Sequence, residues 1–298
     1  MVEEVVSYEW RMNDDAAEAR RRERWGQTPH TRITGPDDAA RLIERVGVAT
    51  LFPVSPEAPD LFHAYMGDPN ATTEATWDSP SGQVYGWRWA LGRAEAAFYS
   101  VLVRGRPTWV SWALLPAMLR LRGETRSPRE LYEAGELSTA AYQVAQALHE
   151  AGGTLSTGEL RQRAHFPTGK AQRAAYLKAV DELDRRLLVA EVFSPDDEDM
   201  RHALVAARYP QHVAAAGRMT QDDALAVFLA AYLPAAAYAV PTVLARHFTL
   251  PQAQLEAALQ RLAGAGQVAT LAHPDRKGVR YVWTDAQRAP TLLPIPAV

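Results

Sequence analysis

Tyr142-Gln143-Val144-Ala145-Gln146-Ala147-Leu148, then Gly152-Gly153, then Ser156-Thr157-Gly158-Glu159, open the stretch from Leu137 to Ala207 on which the fold turns. The first run has apolar side chains at helical spacing and stops at a glycine pair. Ser156 with Glu159 three residues on has the spacing of a capping box, which starts a second helix. A third helix is predicted from about Gly169 to Leu187, with Ala174, Leu177, Val180, Leu183 and Leu187 on one face. A strand is expected over Leu188 to Phe193, a turn at Ser194-Pro195-Asp196-Asp197, and a second strand over Ala203 to Ala207. Three helices followed by a two-stranded ribbon predict a winged helix.

The order recurs. From Gln221 the pattern predicts helices over Ala224–Leu233, Pro241–Phe248 and Pro251–Ala263. A strand Gln267–Ala272, a turn at residues 273–278 and a strand Val279–Trp283 follow. In both stretches a long helix runs straight into an apolar strand: Ala179-Val180-Asp181-Glu182-Leu183 into Leu187-Leu188-Val189-Ala190, and Ala257-Ala258-Leu259-Gln260-Arg261-Leu262 into Gln267-Val268-Ala269-Thr270. The fold class expected is therefore mainly α with small β-ribbons (α+β), in tandem winged helix-turn-helix domains. The expected layout is a charged helical arm at 1–33, a first winged-helix-like domain at 34–130 with a long loop at 55–86, a second winged helix at 137–207, a third at 220–284, and a proline-rich tail at 285–298.

Composition narrows the chemistry. Cysteine is absent from the 298 residues, which excludes disulfides, thiolate nucleophiles, thiolate zinc sites and iron–sulfur clusters. No apolar run is long enough to span a bilayer, and Met1 to Trp10 carries acids where a signal peptide would be basic, so the expectation is a cytoplasmic protein with no membrane contact. The net charge of -3 means that any nucleic-acid binding must come from a local patch. His63, His149, His165, His202, His212, His247 and His273 show neither HExxH nor paired ligand spacing, and no phosphate-cradling glycine loop occurs, so neither metal nor cofactor is expected.

In the N-terminal half, Arg20-Arg21-Arg22 is flanked by acids and reads as an arm docked on its own protein. Pro36 opens a helix that contains Ala39, Ala40, Leu42 and Ile43 and ends at Val46-Gly47. The apolar segment Val48-Ala49-Thr50-Leu51-Phe52 follows, as a buried strand or core loop. Residues 55–86 read as a connection, and a helix is expected over Ala90–Val103. Trp87, Arg88, Trp89, Arg104, Arg106 and Trp109 interleave cations with indoles, a pattern that suits arginine on phosphates and tryptophan on bases. The alternative for the same residues is core tryptophans beside a solvated arginine face. Lys170 and Arg173 on the long helix, and Arg276, Lys277 and Arg280 at the last wing, complete the candidate DNA-binding set. The acidic wing at 196–199 should point away from DNA.

Tandem winged helices behind a helix–glycine–strand element resemble the AlkZ and YcaQ DNA glycosylases. The echoes are Ala39–Gly47, Ala174–Val189 and Leu225–Val268, with the stretch from Trp87 to Trp112. The resemblance implies a DNA-repair protein acting on alkylated bases and crosslinks, with double-stranded DNA, damaged or distorted, as its partner and a place at the nucleoid. Those glycosylases carry a Gln-x-Gln or Gln-x-Asp pair just after the glycine that ends the first helix. Here that position reads Val48-Ala49-Thr50-Leu51-Phe52, and cleavage through a cationic sugar needs a base or fixed negative charge close by. The leading expectation is a DNA-binding relative that does not use the family mechanism and reads backbone, shape or damage. Two alternatives stand beside it. One is a glycosylase with a relocated acid from the polar segment, where Asp60, Asp68, Glu74 and Asp78 stand and Asp60 and Asp78 are the candidates, with Thr50 as the one polar side chain at the original position; the other is a winged-helix module that binds a protein partner.

Overall fold

The computed structural model describes residues 16–166, 168–195, 199–272 and 278–284. After helix α1 (residues 16–24) one order of elements occurs three times: helix, short strand, two helices, two strands. The first run is α2 (Pro36–Val46), β1 (Val48–Thr50), α3 (Leu61–Met66), α4 (Pro80–Arg93), β2 (Phe98–Val103) and β3 (Arg106–Val110). The second is α7 (Thr139–Ala151), β4 (Leu155–Ser156), α8 (Thr157–Arg163), α9 (Lys170–Asp184), β5 (Val189–Phe193) and β6 (Met200–Leu204). The third is α12 (Gln221–Ala236), β7 (Tyr238–Ala239), α13 (Pro241–Phe248), α14 (Gln252–Gly264), β8 (Val268–Ala272) and β9 (Val279–Trp283). Helices α5 (Leu115–Arg122) and α6 (Pro128–Glu133) join the first run to the second; α10 (Val205–Arg208) and α11 (Pro210–Arg218) join the second to the third.

Each run closes a three-stranded antiparallel sheet in which the last strand lies in the middle: β1-β3-β2, β4-β6-β5 and β7-β9-β8. The short outer strand is two or three residues of chain leaving a helix, registered as Val48↔Val110, Leu155↔His202 and Tyr238↔Val282. This mainly helical α+β architecture is consistent with winged helices.

The local signals work as the residues suggest. Ser156 accepts from the Glu159 amide while Glu159 reaches back to the Ser156 amide, so the capping box that opens α8 is formed. Gly152 ends α7 in the left-handed conformation. Gly47 ends α2 at φ +79°, and a Cβ there would sit 3.0 Å from Leu114 Cδ2. Glycine is thus required at the junction that launches β1.

Four expectations need correction. The helix expected over Ala90–Val103 ends at Arg93, and Phe98–Val103 is strand β2. Four of those six strand residues (Phe98, Tyr99, Val101 and Val103) are aromatic or β-branched, and pairing with β3 satisfies their backbone. The ribbon's return strand in the second run is Met200–Leu204, with Val205–Arg208 helical rather than extended. Residues 55–86 are not one long loop; they hold α3 and the start of α4. The buried face of α9 is Tyr176, Ala179, Val180, Leu183 and Asp184, which leaves Leu177 exposed. The acidic wing tip at 196–198, the tip at 273–277 and the tail from 285 lie outside the described residues.

The cores are distributed unevenly. α7, α8 and α9 pack around their own cluster of Leu131, Val144, Leu148, Leu160, Tyr176 and Leu183. The first and third runs share one core, in which Leu42, Ile43, Phe62, Trp109 and Leu115 are continuous with Phe228, Leu229, Leu244 and Phe248. β5 enters that shared core through Phe193, whose ring lies 5.3 Å from Trp89, 5.3 Å from Tyr99 and 5.9 Å from Trp109. α4 admits it at Gly92, where a Cβ would run into the Phe193 ring.

Candidate functional site

The segment after Gly47 is sealed. Val48, Ala49, Thr50 and Leu51 are buried, and Thr50 is fully enclosed. The Thr50 hydroxyl donates to the Phe52 carbonyl at 2.8 Å, and its amide donates to the Pro59 carbonyl at 2.9 Å. Its one polar side chain is therefore committed to its own backbone, so Thr50 is a structural residue. Residues 52–56 that follow form a partly exposed ridge, with Phe52 half-buried, before the chain is buried again at Glu57.

A buried ionic cluster fixes the foot of that ridge. Arg21 of α1, 3% exposed, donates Nε to the Ala236 carbonyl at 2.7 Å and Nη1 to the Pro56 carbonyl at 2.7 Å. Its Nη2 faces the Tyr238 carbonyl and lies 3.5 Å from Glu57 Oε2. Glu57, 1% exposed, also accepts from the Tyr232 hydroxyl at 2.5 Å. The guanidinium lies over the Tyr238 ring, 3.4 Å from its centroid. One arginine thus ties the N-terminal helix, the ridge and the end of α12 together. The expectation that the Arg20–Arg22 arm docks on its own protein holds at Arg21.

On one side of the ridge is a cleft of ≈ 370 Å³ lined by Pro56, Arg104, Val243, Arg246 and His247. Arg104 sits at the turn between β2 and β3 with φ +52°, its Nη1 on the Val54 carbonyl at 3.0 Å and its amide on the His247 carbonyl at 3.0 Å. His247 is buried and its Nδ1 lies 2.7 Å from Ser55 Oγ. Arg106 is exposed on the same turn. Among the described residues, no carboxylate pairs with Arg104, Arg106 or Arg246.

Next to Phe52 and Pro53 is a groove of ≈ 580 Å³, lined also by Thr73 to Trp77, Ser81, Gly82 and Tyr85. Trp77 is 78% exposed, and its ring meets Tyr85 edge-on at 5.5 Å. The Arg88 guanidinium covers Tyr85 at 3.8 Å from the ring centroid. Glu74 donates its amide to Ser81 Oγ at 3.0 Å, and its carboxylate has no partner among the described residues.

The other residues singled out from sequence are dispersed. Trp109 is wholly buried against Tyr99 and Phe193, which removes it as a stacking residue; β-pairing with Ala49 and Tyr99 turns it into the core. Trp89 packs on Phe193 and Trp87 packs on Tyr65, both half-buried. Arg280 is 4% exposed, and so is not a surface cation. Lys170 and Arg173 are exposed on the first turn of α9. Arg276 and Lys277 lie outside the described residues. The arginine-rich stretch from 104 to 129 contracts to its beginning: Arg122 donates to the Phe248 carbonyl, Arg126 bridges Glu124 and Glu136, and Arg129 pairs with Glu133.

Of the acid candidates, Asp78 is exposed and does not line the groove. Asp60 is 2% exposed and caps α3, accepting from the His63 amide at 2.7 Å and contacting His63 Nδ1 at 2.8 Å. Burial opposes a charge on His63, but the bonds to Asp60 and to the Ala71 carbonyl outweigh it and raise its pKa above the ordinary value. That pair staples the 68–71 turn to α3. Among the described residues no group of His, Asp and Glu is arranged to hold a metal ion, and no helix is long and apolar enough to cross a membrane.

Sequence reasoning did not select Trp77, Arg246 or the pairing of Arg246 with Arg104. Arg246 stands 142 positions from Arg104, and only the core shared by the first and third runs brings them together. Trp77 carried one signal, a large aromatic within a polar segment that has no apolar periodicity to bury it.

Three three-stranded sheets, each behind helices in the same order, define a mainly α protein of tandem helix-and-wing units. The AlkZ-related family model matches residues 33–224, well over half of the chain, and the chain belongs to that family. It is also similar to the solved structure of the Streptomyces sahachiroi DNA glycosylase AlkZ. The TM-score is 0.54 at 16% identity, over 90% of this chain and 69% of that one. A comparison with curated proteins finds no match.

Proposed function

We propose that this protein, a relative of repair glycosylases, binds double-stranded DNA, distorted or damaged duplex included, through the cleft of Arg104 and Arg246. It does so without the family's mechanism of base excision. The observation that carries the reading is that Arg104 and Arg246 line one cleft, with Arg106 exposed on the same β2–β3 turn as Arg104, and that none of the three has a carboxylate partner among the described residues. Unneutralised arginines bind phosphates and release counterions, which is the main source of sequence-independent affinity. Lys170 and Arg173 on α9 extend the contact. The sealed segment Val48–Leu51 presents no amide, carboxylate or hydroxyl to a sugar, so it supplies no base and no charge to a cationic transition state.

The test is fluorescence anisotropy with plain and distorted duplexes over a range of salt. The parent is expected to lose affinity steeply with salt. Arg104→Glu with Arg106→Glu is expected to lower affinity at least about tenfold and to flatten the salt slope by about two. Unchanged affinity in that double variant would remove the cleft from the reading.

One observation favours a second reading. Glu74 lines the same groove as Phe52, and a relocated acid would have to stand in that groove. Alkali-labile sites formed in alkylated duplex by the parent, and lost in Glu74→Gln, would support excision from that position.

A further inference from the structure

We propose that the groove between Phe52-Pro53 and the 73–85 segment is a receptor for a single unstacked nucleobase, adjacent to the phosphate cleft. The inference rests on the DNA-binding reading and adds what the protein does with a distorted strand.

Three features of the groove select a planar ligand with polar edges. Trp77 presents most of its indole to solvent, a costly exposure for the largest side chain, and Tyr85 stands edge-on beside it. Base-on-aromatic stacking is worth roughly 1–3 kcal/mol and accepts any base, since every base has a π-face. Glu74 lines the groove, is exposed and has no carboxylate partner among the described residues; a carboxylate accepts hydrogen bonds, which matches the exocyclic amino group of cytosine, adenine or guanine. The volume of ≈ 580 Å³ lies within the range of small-molecule sites.

The position relative to the cations selects a base within a strand over a free aromatic compound. Pro53 lines the groove and Pro56 lines the basic cleft, so only Val54 and Ser55 separate them. Three chain steps span at most about 10 Å, or at most roughly three nucleotide steps at ~3.4 Å per step. Arg104 spans the ridge itself, holding the Val54 carbonyl from the cleft side. A strand whose phosphates lie on Arg104 and Arg246 therefore passes close enough to place one extruded base against Trp77. Arg21 and Glu57 fix the ridge from below, so the spacing is set before DNA arrives.

The experiment compares a fully paired duplex with the same duplex carrying one bulged 2-aminopurine, for the parent protein, Trp77→Ala and Glu74→Gln. The parent is expected to bind the bulged duplex about tenfold more tightly and to quench the 2-aminopurine fluorescence by stacking. Trp77→Ala is expected to abolish both the preference and the quenching, leaving affinity for the paired duplex unchanged; Trp77 is exposed, so this variant keeps the fold. Glu74→Gln is expected to reduce the preference while keeping the quenching. Paired-duplex binding with no bulge preference, or a preference that survives Trp77→Ala, overturns the groove proposal and leaves the DNA reading standing. Absence of binding to either duplex at low salt overturns both.

Discussion

Replacing Arg21 by Met tests whether the ridge between the two clefts is held as described. The substitution keeps the aliphatic stem and removes the guanidinium, so the Ala236, Pro56 and Tyr238 carbonyls lose their donor and Glu57 keeps only neutral donors, the Tyr232 hydroxyl and the Val240 amide. Glu57 is 1% exposed, and water reaches it only if the structure opens. Removing one partner of a buried pair costs about 3–5 kcal/mol, because the other charge stays buried. Against a total of roughly 5–15 kcal/mol that is a large share of the stability. The assay is urea denaturation of the parent, Arg21→Met, Glu57→Leu and the double variant. The double variant is expected to be more stable than Arg21→Met alone, since it no longer buries a lone carboxylate, and the single costs should fail to add by about 2 kcal/mol or more. A cost under about 1 kcal/mol for Arg21→Met, or strict additivity, would refute the claim that this pair anchors the ridge. Arg21→Met is also expected to weaken preference for a bulged base, because Pro53 and Pro56 lose their fixed spacing.

Gly92→Ala should destabilise by about 1–3 kcal/mol through overpacking, since the added Cβ would run into the Phe193 ring. Thermal melts read this directly, and Phe193→Leu should cost less in the Gly92→Ala background than in the parent; equal cost in both backgrounds would refute the contact. Burial, then Glu191 and Asp181, push the Asp184 carboxyl well above the usual range. The folded chain therefore holds a proton that the unfolded chain has released. Stability should fall as pH rises above the ordinary carboxylate value near 4. Asp184→Asn should accordingly gain more stability at pH 8 than at pH 5 in urea melts; a gain equal at both values, or a loss, would contradict the assignment.

Much of this was legible along the chain. Capping residues, glycine stops and helical periodicity are local, and they located α2, α7, α8, α9, α13 and α14 to within a few residues. The apolar pattern of β9 was equally local, and Val279–Trp283 stands as expected. That Val48-Ala49-Thr50-Leu51-Phe52 carries no glutamine and no carboxylate after Gly47 was visible as residue types alone. The failures share a different cause. Phe98–Val103 has enough apolar residues for either state, and only pairing with β3 made it a strand. Residue types left Trp109 open between a stacking indole and a core residue; its register against Ala49 and Tyr99 decided for the core.

The sequence by itself determined the α+β class, the order of helices and wings, and the absence of thiol chemistry, because each depends on residue type or on spacings within a few turns. Tertiary structure alone decided which cations face solvent unpaired. Arg126 and Arg129 found carboxylates close in sequence, whereas Arg104 came to line one cleft with Arg246 and pairs with no acid among the described residues. Charge neutralisation is a matter of distance in space, and 142 residues of chain contain no record of that distance until the first and third runs bury their apolar faces together.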